Sequence, residues 1–303
     1  MSALLGLVAA HLVVAIAAPL LTRLLGQRAF LIAAVVPAVA FGWLVWAAPT
    51  VLAGGSLVEA YPWIAGLGVS LSFHLGLLQW VLALIVTGIG ALVLLYCRWY
   101  FAADPPQTRP VALLTAFAGV MLGLVTSDDL IVLYVFWELT TVFSYLLIAH
   151  DPTRRANRSA ALTALIVTTT GGLAMLIGFL TLGAAAGTFS LQAILAAPPA
   201  GPALTVSALL ILAGALSKSA LVPFHFWLPG AMAAPTPVSA YLHAAAMVKA
   251  GVYLVAVLAP VMAQVPGWRP LVGALGALTL FLGGWRALRQ DDLKLLLAYG
   301  TVS

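Results

Sequence analysis

Apolar residues run along the 303-residue chain in long blocks interrupted at charges, prolines and glycines. Most blocks match the length a helix needs to cross ~30 Å of hydrocarbon at ~1.5 Å per residue. Nine spans can be drawn, at residues 3–26, 29–52, 76–97, 110–126, 128–149, 160–186, 204–228, 238–262 and 270–288, and a tenth opens near 293. Membrane barrels alternate over strands of ~10 residues instead. The pattern therefore predicts an all-α polytopic bundle of nine to ten transmembrane helices. Between the second and third spans, the stretch from Ala53 to Leu75 contains Pro62 and the alternation Gly68-Val-Ser-Leu-Ser-Phe73, which predicts a short extended segment lying over the helices. The last span is cut off at Ser303 with no stop signal, so the chain reads as the front part of something longer.

The loops orient the bundle. Arg23, Arg28, Arg98, Arg109, Arg154, Arg155, Arg158, Arg286 and Arg289 all fall on one side of this span pattern, and Arg269 falls on the other. That bias places the Arg-rich loops in the cytoplasm and the N-terminus outside. No basic residue precedes the first apolar run, so residues 3–26 are read as a retained helix and not a cleaved signal peptide.

Composition agrees and removes other classes. The chain is 64% hydrophobic and 7% charged, with a mean hydropathy of +1.14, whereas a soluble domain carries about a quarter charged residues. The formal charge of +5 is scattered along the chain and forms no basic stripe with interleaved aromatics, so no nucleic-acid partner is implied. Cys97 stands alone, which excludes an internal disulfide or a cysteine-based metal site.

The informative residues are charges where hydrocarbon should be. Intramembrane ionisable groups are costly and mark pathways or partners. Glu138 lies midway through the fifth span and Lys218 midway through the seventh, five residues before Pro223. Pro223 lacks the N–H that would bond the Ser219 carbonyl, so the seventh helix is predicted to be broken beside Lys218. Breaks of this kind are tolerated where they are buried in protein or line a cavity. His243 and Lys249 follow in the eighth span; six residues make about 1.7 turns, so on a straight α-helix they do not share a face. A relay through intervening water stays open. These four groups suit proton movement, and there is no nucleophile–base pair or Gly-rich phosphate loop to suggest hydrolysis. Asp128 and Asp129 read as caps at the start of the fifth span, and Arg154, Arg155 and Arg158 as topology anchors. His11, His74, His150 and Glu59 carry no strong signal, and Lys294 is ambiguous.

The segment from Gly214 to Gly251, including Ser217-Lys218-Ser219, Trp227-Leu228-Pro229 and Val248-Lys249-Ala250-Gly251, resembles the signature of the antiporter-like proteins shared by Mrp-type cation/proton antiporters and respiratory complex I. The likeness extends to Ser127 through Glu138 and to Asp292 through Ser303. Val-Lys-Ala-Gly at 248–251 and Thr-Gly-Gly-Leu at 170–173 are more similar to the large A-type Mrp subunit than to the L-type subunit of complex I. Gly230 departs from the pattern, because the large subunits usually carry Asp there.

The resemblance implies three leading helices (1–97), a first five-helix repeat with a broken helix (110–262) and the start of an inverted second repeat (270–303). It also implies a proton axis through Glu138, Lys218, His243 and Lys249. The implied setting is a bacterial cell membrane, as part of a multisubunit secondary transporter with no cofactor of its own. Protons, a monovalent cation such as Na⁺, further membrane subunits and lipid are the implied partners. The alternatives are an antiporter-like proton-pumping subunit of NADH-quinone oxidoreductase, which would make the chain part of a redox enzyme, and a structural remnant without transport. Single cysteines placed beside Arg158 and beside Arg269, in a Cys97→Ser background, are expected to label from opposite faces of sealed cells; labelling from one face would overturn the span count.

Overall fold

The computed structural model describes residues 3–64, 66, 68–104 and 107–303. The chain is a helical bundle with one small hairpin. Helices α1 (Ala3–Leu25) and α2 (Ala29–Trp46) are joined by a single 3₁₀ turn at Gly26–Arg28, and the short α3 (Ala48–Leu52) follows. After the hairpin come α4 (Leu77–Tyr100), α5 (Thr108–Thr126), α6 (Leu130–Ile148), α7 (Arg155–Ala186) and the short α8 (Leu191–Ala196). Then α9 (Pro202–Lys218) stops, and the chain continues through α10 (Trp227–Ala231), α11 (Thr236–Ser239) and a π-helical segment, Ala240–Ala246. The series ends with α12 (Lys249–Met262), α13 (Trp268–Ala287) and α14 (Leu293–Val302). Seven helical runs among the described residues are long and apolar enough to cross a membrane; the first of them, Ala3–Trp46, is 44 residues long and holds both α1 and α2.

Of the drawn spans, the seventh is interrupted as expected, and the eighth, read as a single helix, is divided. The seventh, drawn at 204–228, stops being helical at Lys218 because Pro223 cannot supply its share of the ladder. The eighth, drawn at 238–262, changes register in its π-helical portion. The residues between Ala53 and Leu75 contain β1 (Leu57–Ile64) as well as the expected extended run, β2 (Val69–Leu75), and the two pair antiparallel with an irregularity at Pro62. Pro62 cannot donate to a ladder.

The hairpin is tied to the bundle by helix ends that need acceptors. An α-helix leaves its first N–H groups without intrahelical partners. Glu59 on β1 accepts from the backbone N–H groups of Leu4 (3.0 Å) and Leu5 (3.3 Å), capping α1. Asp129 accepts from Ile131 and Val132 at the start of α6 and from Ser70 on β2. Asp128 accepts from the Ser190 hydroxyl and the Gln192 N–H at the start of α8. Burial pushes both aspartate carboxyls up from the usual carboxylate range, against the pull of these hydrogen bonds.

Contacts also gather the Arg-rich loops at the opposite end. Gln27 donates to the Phe101 carbonyl, Phe101 stacks on Phe30 and meets His150, and Arg109 donates to the Leu146 carbonyl at the end of α6. The N–H of Thr236 donates to the Tyr100 hydroxyl, joining the broken segment to the same end.

Between the ends, α7 and α9 lie backbone to backbone. A Cβ added at Gly171 would run into the Ser217 side chain, and one added at Gly214 would stand 2.9 Å from the Gly171 carbonyl. Small residues permit this approach, which gives membrane helices their packing energy. Gly171→Ala is therefore expected to cost about 1–3 kcal/mol through overpacking, and Asp129→Ala about 1 kcal/mol through loss of the cap. Denaturation of the detergent-solubilised protein measures both; unchanged stability in either variant would contradict the corresponding contact.

Candidate functional site

Lys218 is the last residue of α9 and is 0% exposed. Its ammonium donates to the Trp137 carbonyl (2.9 Å) and to the Thr141 hydroxyl (2.7 Å), and it sits 5.1 Å from the centre of the Trp137 ring. Both acceptors belong to α6, one helical turn apart, and Glu138 follows Trp137 directly. The acceptors and the ring face replace part of the hydration that burial removes. Glu138 is half-buried, and its Oε1 is sealed from solvent without a hydrogen-bond partner. That oxygen lies where a Cβ at Gly172 would be, so the glycine provides the bay for the carboxylate. Glu138 is the acidic residue beside the groups that hold Lys218. The two form no direct ion pair; among the described residues the only one within 4.0 Å is Arg154–Asp151.

The break beyond Lys218 turns at a strained residue and is held by two side-chain hydrogen bonds. Ala220 takes φ 52°, a left-handed conformation that turns the chain out of the helix at a cost few non-glycine residues bear. The Trp227 indole N–H donates 2.8 Å to the Ser217 carbonyl, which the interrupted ladder leaves with only a long bond from the Ala220 N–H (3.4 Å). The Ser219 hydroxyl donates 2.5 Å to the Val248 carbonyl, and Gly251 lets α12 come close enough for that bond. The same Trp227 ring meets His243 edge to face, with centroids 5.7 Å apart.

His243 is 1% exposed and both of its ring nitrogens lack partners. Lys249 is half-buried, and its ammonium donates 2.6 Å to the Ala244 carbonyl. The π-helical winding before Lys249 departs from the α period used to set these two residues on different faces, so that angular argument does not carry over unchanged. Glu138, Lys218 and His243 are thus linked through Trp137 and Trp227, while Lys249 joins through the backbone beside His243. The sequence assigns no role to Trp137 or Thr141, and Trp227 only a place in the signature, although Thr141 lies four residues after Trp137 and so shares its helix face. Asp129 caps α6, as its position suggested, whereas Asp128 bonds the start of α8 and not its own helix. Gly230 has open space around it and brings no charge to the site. Lys294 donates to the Ala234 carbonyl.

Two family models match the chain. One, described as NADH:quinone oxidoreductase/Mrp antiporter, TM, covers residues 127–303; the other, NADH-Ubiquinone oxidoreductase (complex I), chain 5 N-terminus, covers residues 63–109. The A/B-type subunit of a probable K(+)/H(+) antiporter of Rhizobium meliloti is 48% identical over 258 residues, which are 84% of this chain and 26% of that protein. The A-type subunit of the Na(+)/H(+) antiporter of Alkalihalophilus pseudofirmus is 43% identical over 278 residues, 86% of this chain and 34% of that one. In the solved Mrp complex from Dietzia sp. DQ12-45-1b, one chain superposes with a TM-score of 0.89 at 39% identity, covering 99% of this chain and 33% of its own length. The chain spans between a quarter and a third of the length of these relatives. With the buried Lys218, the break beside it and these likenesses together, the chain belongs to the NADH:quinone oxidoreductase/Mrp antiporter transmembrane family, and within it to the relatives of the large A-type Mrp antiporter subunits.

Proposed function

We propose that the chain forms part of a proton-translocating subunit of a multisubunit cation/proton antiporter, a secondary transporter of a bacterial cell membrane. The observation that carries this reading is the Lys218 ammonium, sealed at a helix break and held by two neutral acceptors beside Glu138. A cation arriving at Glu138 competes for the carboxylate. Lys218, left with only neutral acceptors, then gives up its proton, which continues towards His243 and Lys249. Return of the carboxylate favours reprotonation, so cation and proton exchange places.

The exchanged cation is monovalent. The names of the two relatives carry both potassium and sodium, and nothing in the geometry around Glu138 separates them. Partner subunits are proposed on the same basis. Residues 1–97 would be the leading helices, 110–262 the first repeat and 270–303 the opening of the second, with the N-terminus outside and the Arg-rich end in the cytoplasm. The antiporter reading stands above a redox-complex subunit because the relatives at 48% and 43% identity are antiporter subunits.

In the full-length complex, Lys218→Ala and Glu138→Ala are each expected to abolish cation-driven proton movement in inverted vesicles while leaving assembled protein in the membrane. The double variant should be little worse than either single one, as for residues acting as a unit. Near-normal transport by Lys218→Ala would refute the proton switch.

A further inference from the structure

Trp137 meets both members of the charged pair. Its carbonyl accepts from the Lys218 ammonium at 2.9 Å and its ring centre lies 5.1 Å from the same nitrogen, so backbone and ring face hold one side of the cation. The indole N–H takes no part in that contact. The residue is 0% exposed, and Nε1 has no hydrogen-bond partner among the described residues. Glu138 Oε1 is in the same condition, sealed and unpartnered.

Gly172 of α7 brings these two atoms to one place. An added Cβ there would run into Glu138 Oε1, and Trp137 Nε1 would stand 3.6 Å from it. Indole N–H and carboxylate oxygen therefore border one bay without bonding each other. Buried polar atoms seldom stay unmatched, and an unmatched charged group is the costliest case. An indole nitrogen only donates and an ionised carboxylate only accepts, so one water, accepting from the first and donating to the second, satisfies both. A cation does not suit the bay, because the indole directs the positive end of its N–H into it. Cation arrival belongs to the open side of the half-buried Glu138.

We propose that a water bridges Trp137 Nε1 to Glu138 Oε1, and that Trp137 is through this water the positioning residue that holds the carboxylate against α7 and away from Lys218. The proposal rests on the cation/proton exchange reading above. Of the three donors of the Lys218 ammonium, one goes to the Trp137 carbonyl and one to the Thr141 hydroxyl, with the Trp137 ring alongside. With the carboxylate tethered at Gly172, Glu138 and Lys218 form no ion pair within 4.0 Å. A carboxylate closed on the lysine would be withheld from an incoming cation, whereas a tethered one keeps its open side accessible. Trp137 thus sets how strongly Lys218 competes with the cation, and so the cation concentration at which exchange half-saturates.

The test uses the full-length complex in inverted vesicles, with cation-driven proton movement followed over a range of cation concentrations and assembly checked on native gels. Replacing Trp137 by benzothienylalanine puts sulfur in place of the N–H and keeps the bicyclic ring beside Lys218. The half-saturating cation concentration is expected to rise about tenfold with the maximal rate nearly unchanged, since a hydrogen bond to a charged group contributes on that scale. Trp137→Phe should shift it in the same direction. Infrared difference spectra on cation addition give a second readout: the Glu138 carboxylate band, identified by its loss in Glu138→Gln, is expected to move in the benzothienyl variant. A wild-type half-saturating concentration or an unmoved band in that variant, once assembled, would overturn the proposal, as would a lowered maximal rate with unchanged half-saturation, which a packing role alone produces. Should neither Trp137 variant assemble, Gly172→Ala decides with the indole intact: its methyl displaces the carboxylate from the bay and is expected to raise the half-saturating concentration, and an unchanged value would overturn the proposal. Glu138→Ala in the same assay separates the two ideas. If it is active, the exchange reading fails; if it is inactive while the benzothienyl variant behaves as wild type, only the role of Trp137 fails.

Discussion

An ammonium with no exposed surface, inside a bundle whose outer faces are apolar, exists only where protein groups replace its water. Lys218 imposes that condition, and the neighbouring structure meets it. A continuous α9 would bond its carbonyls internally and carry no special chemistry at this depth. The break after Lys218 takes the Leu221 N–H away from the Ser217 carbonyl, Trp227 donates to it instead, and the ring of Trp227 then reaches His243. On the other side, α6 offers a carbonyl, a hydroxyl and an aromatic face within one turn. One buried charge therefore ties the interrupted helix to both of its neighbours.

Meeting that condition requires helices closer together than bulky side chains permit. Gly171 and Gly214 bring α7 and α9 together, Gly172 makes room for the Glu138 carboxylate, and Gly251 admits the Ser219 hydroxyl to the Val248 carbonyl. Hydrocarbon gives apolar helices no reason to associate by hydrophobicity, so packing at small residues supplies the attraction. The same glycines set where the polar atoms lie. Stability and the geometry of the charges are consequently set by one group of contacts, so a change that loosens the packing also moves the site.

The two ends of the bundle are held differently. At one end carboxylates do the work: Glu59, Asp128 and Asp129 satisfy helix N-termini and anchor the hairpin to α1, α6 and α8. At the other end, arginines and aromatic rings cover helix termini, as Arg109 does for α6. This polarity places Lys294 beside the Arg-rich loops, and Glu138 and Lys218 deeper along the helices.

Much of this was legible in the sequence because hydrocarbon filters composition so strongly. Span lengths, arginine bias and four ionisable residues in otherwise apolar blocks each answer to an energetic rule that acts along the chain. Pro223 announced the break for the same reason, since the missing N–H is a covalent fact. What the chain could not display was which groups meet. The partners of Lys218 lie 77 and 81 positions away on α6, and the Glu138 bay depends on a glycine of α7. Glu59 looked inert because its helix N-terminus is 54 and 55 residues distant. The π-helical winding at Ala240–Ala246 escaped notice because no residue type there forces it; it accompanies the packing of Tyr241, whose hydroxyl bonds the Val86 carbonyl of α4. The sequence by itself determined that the chain crosses a membrane and carries buried charge at a broken helix. Only the tertiary structure decided how that charge is solvated, because the acceptors are backbone carbonyls and hydroxyls whose positions arise from packing between distant helices.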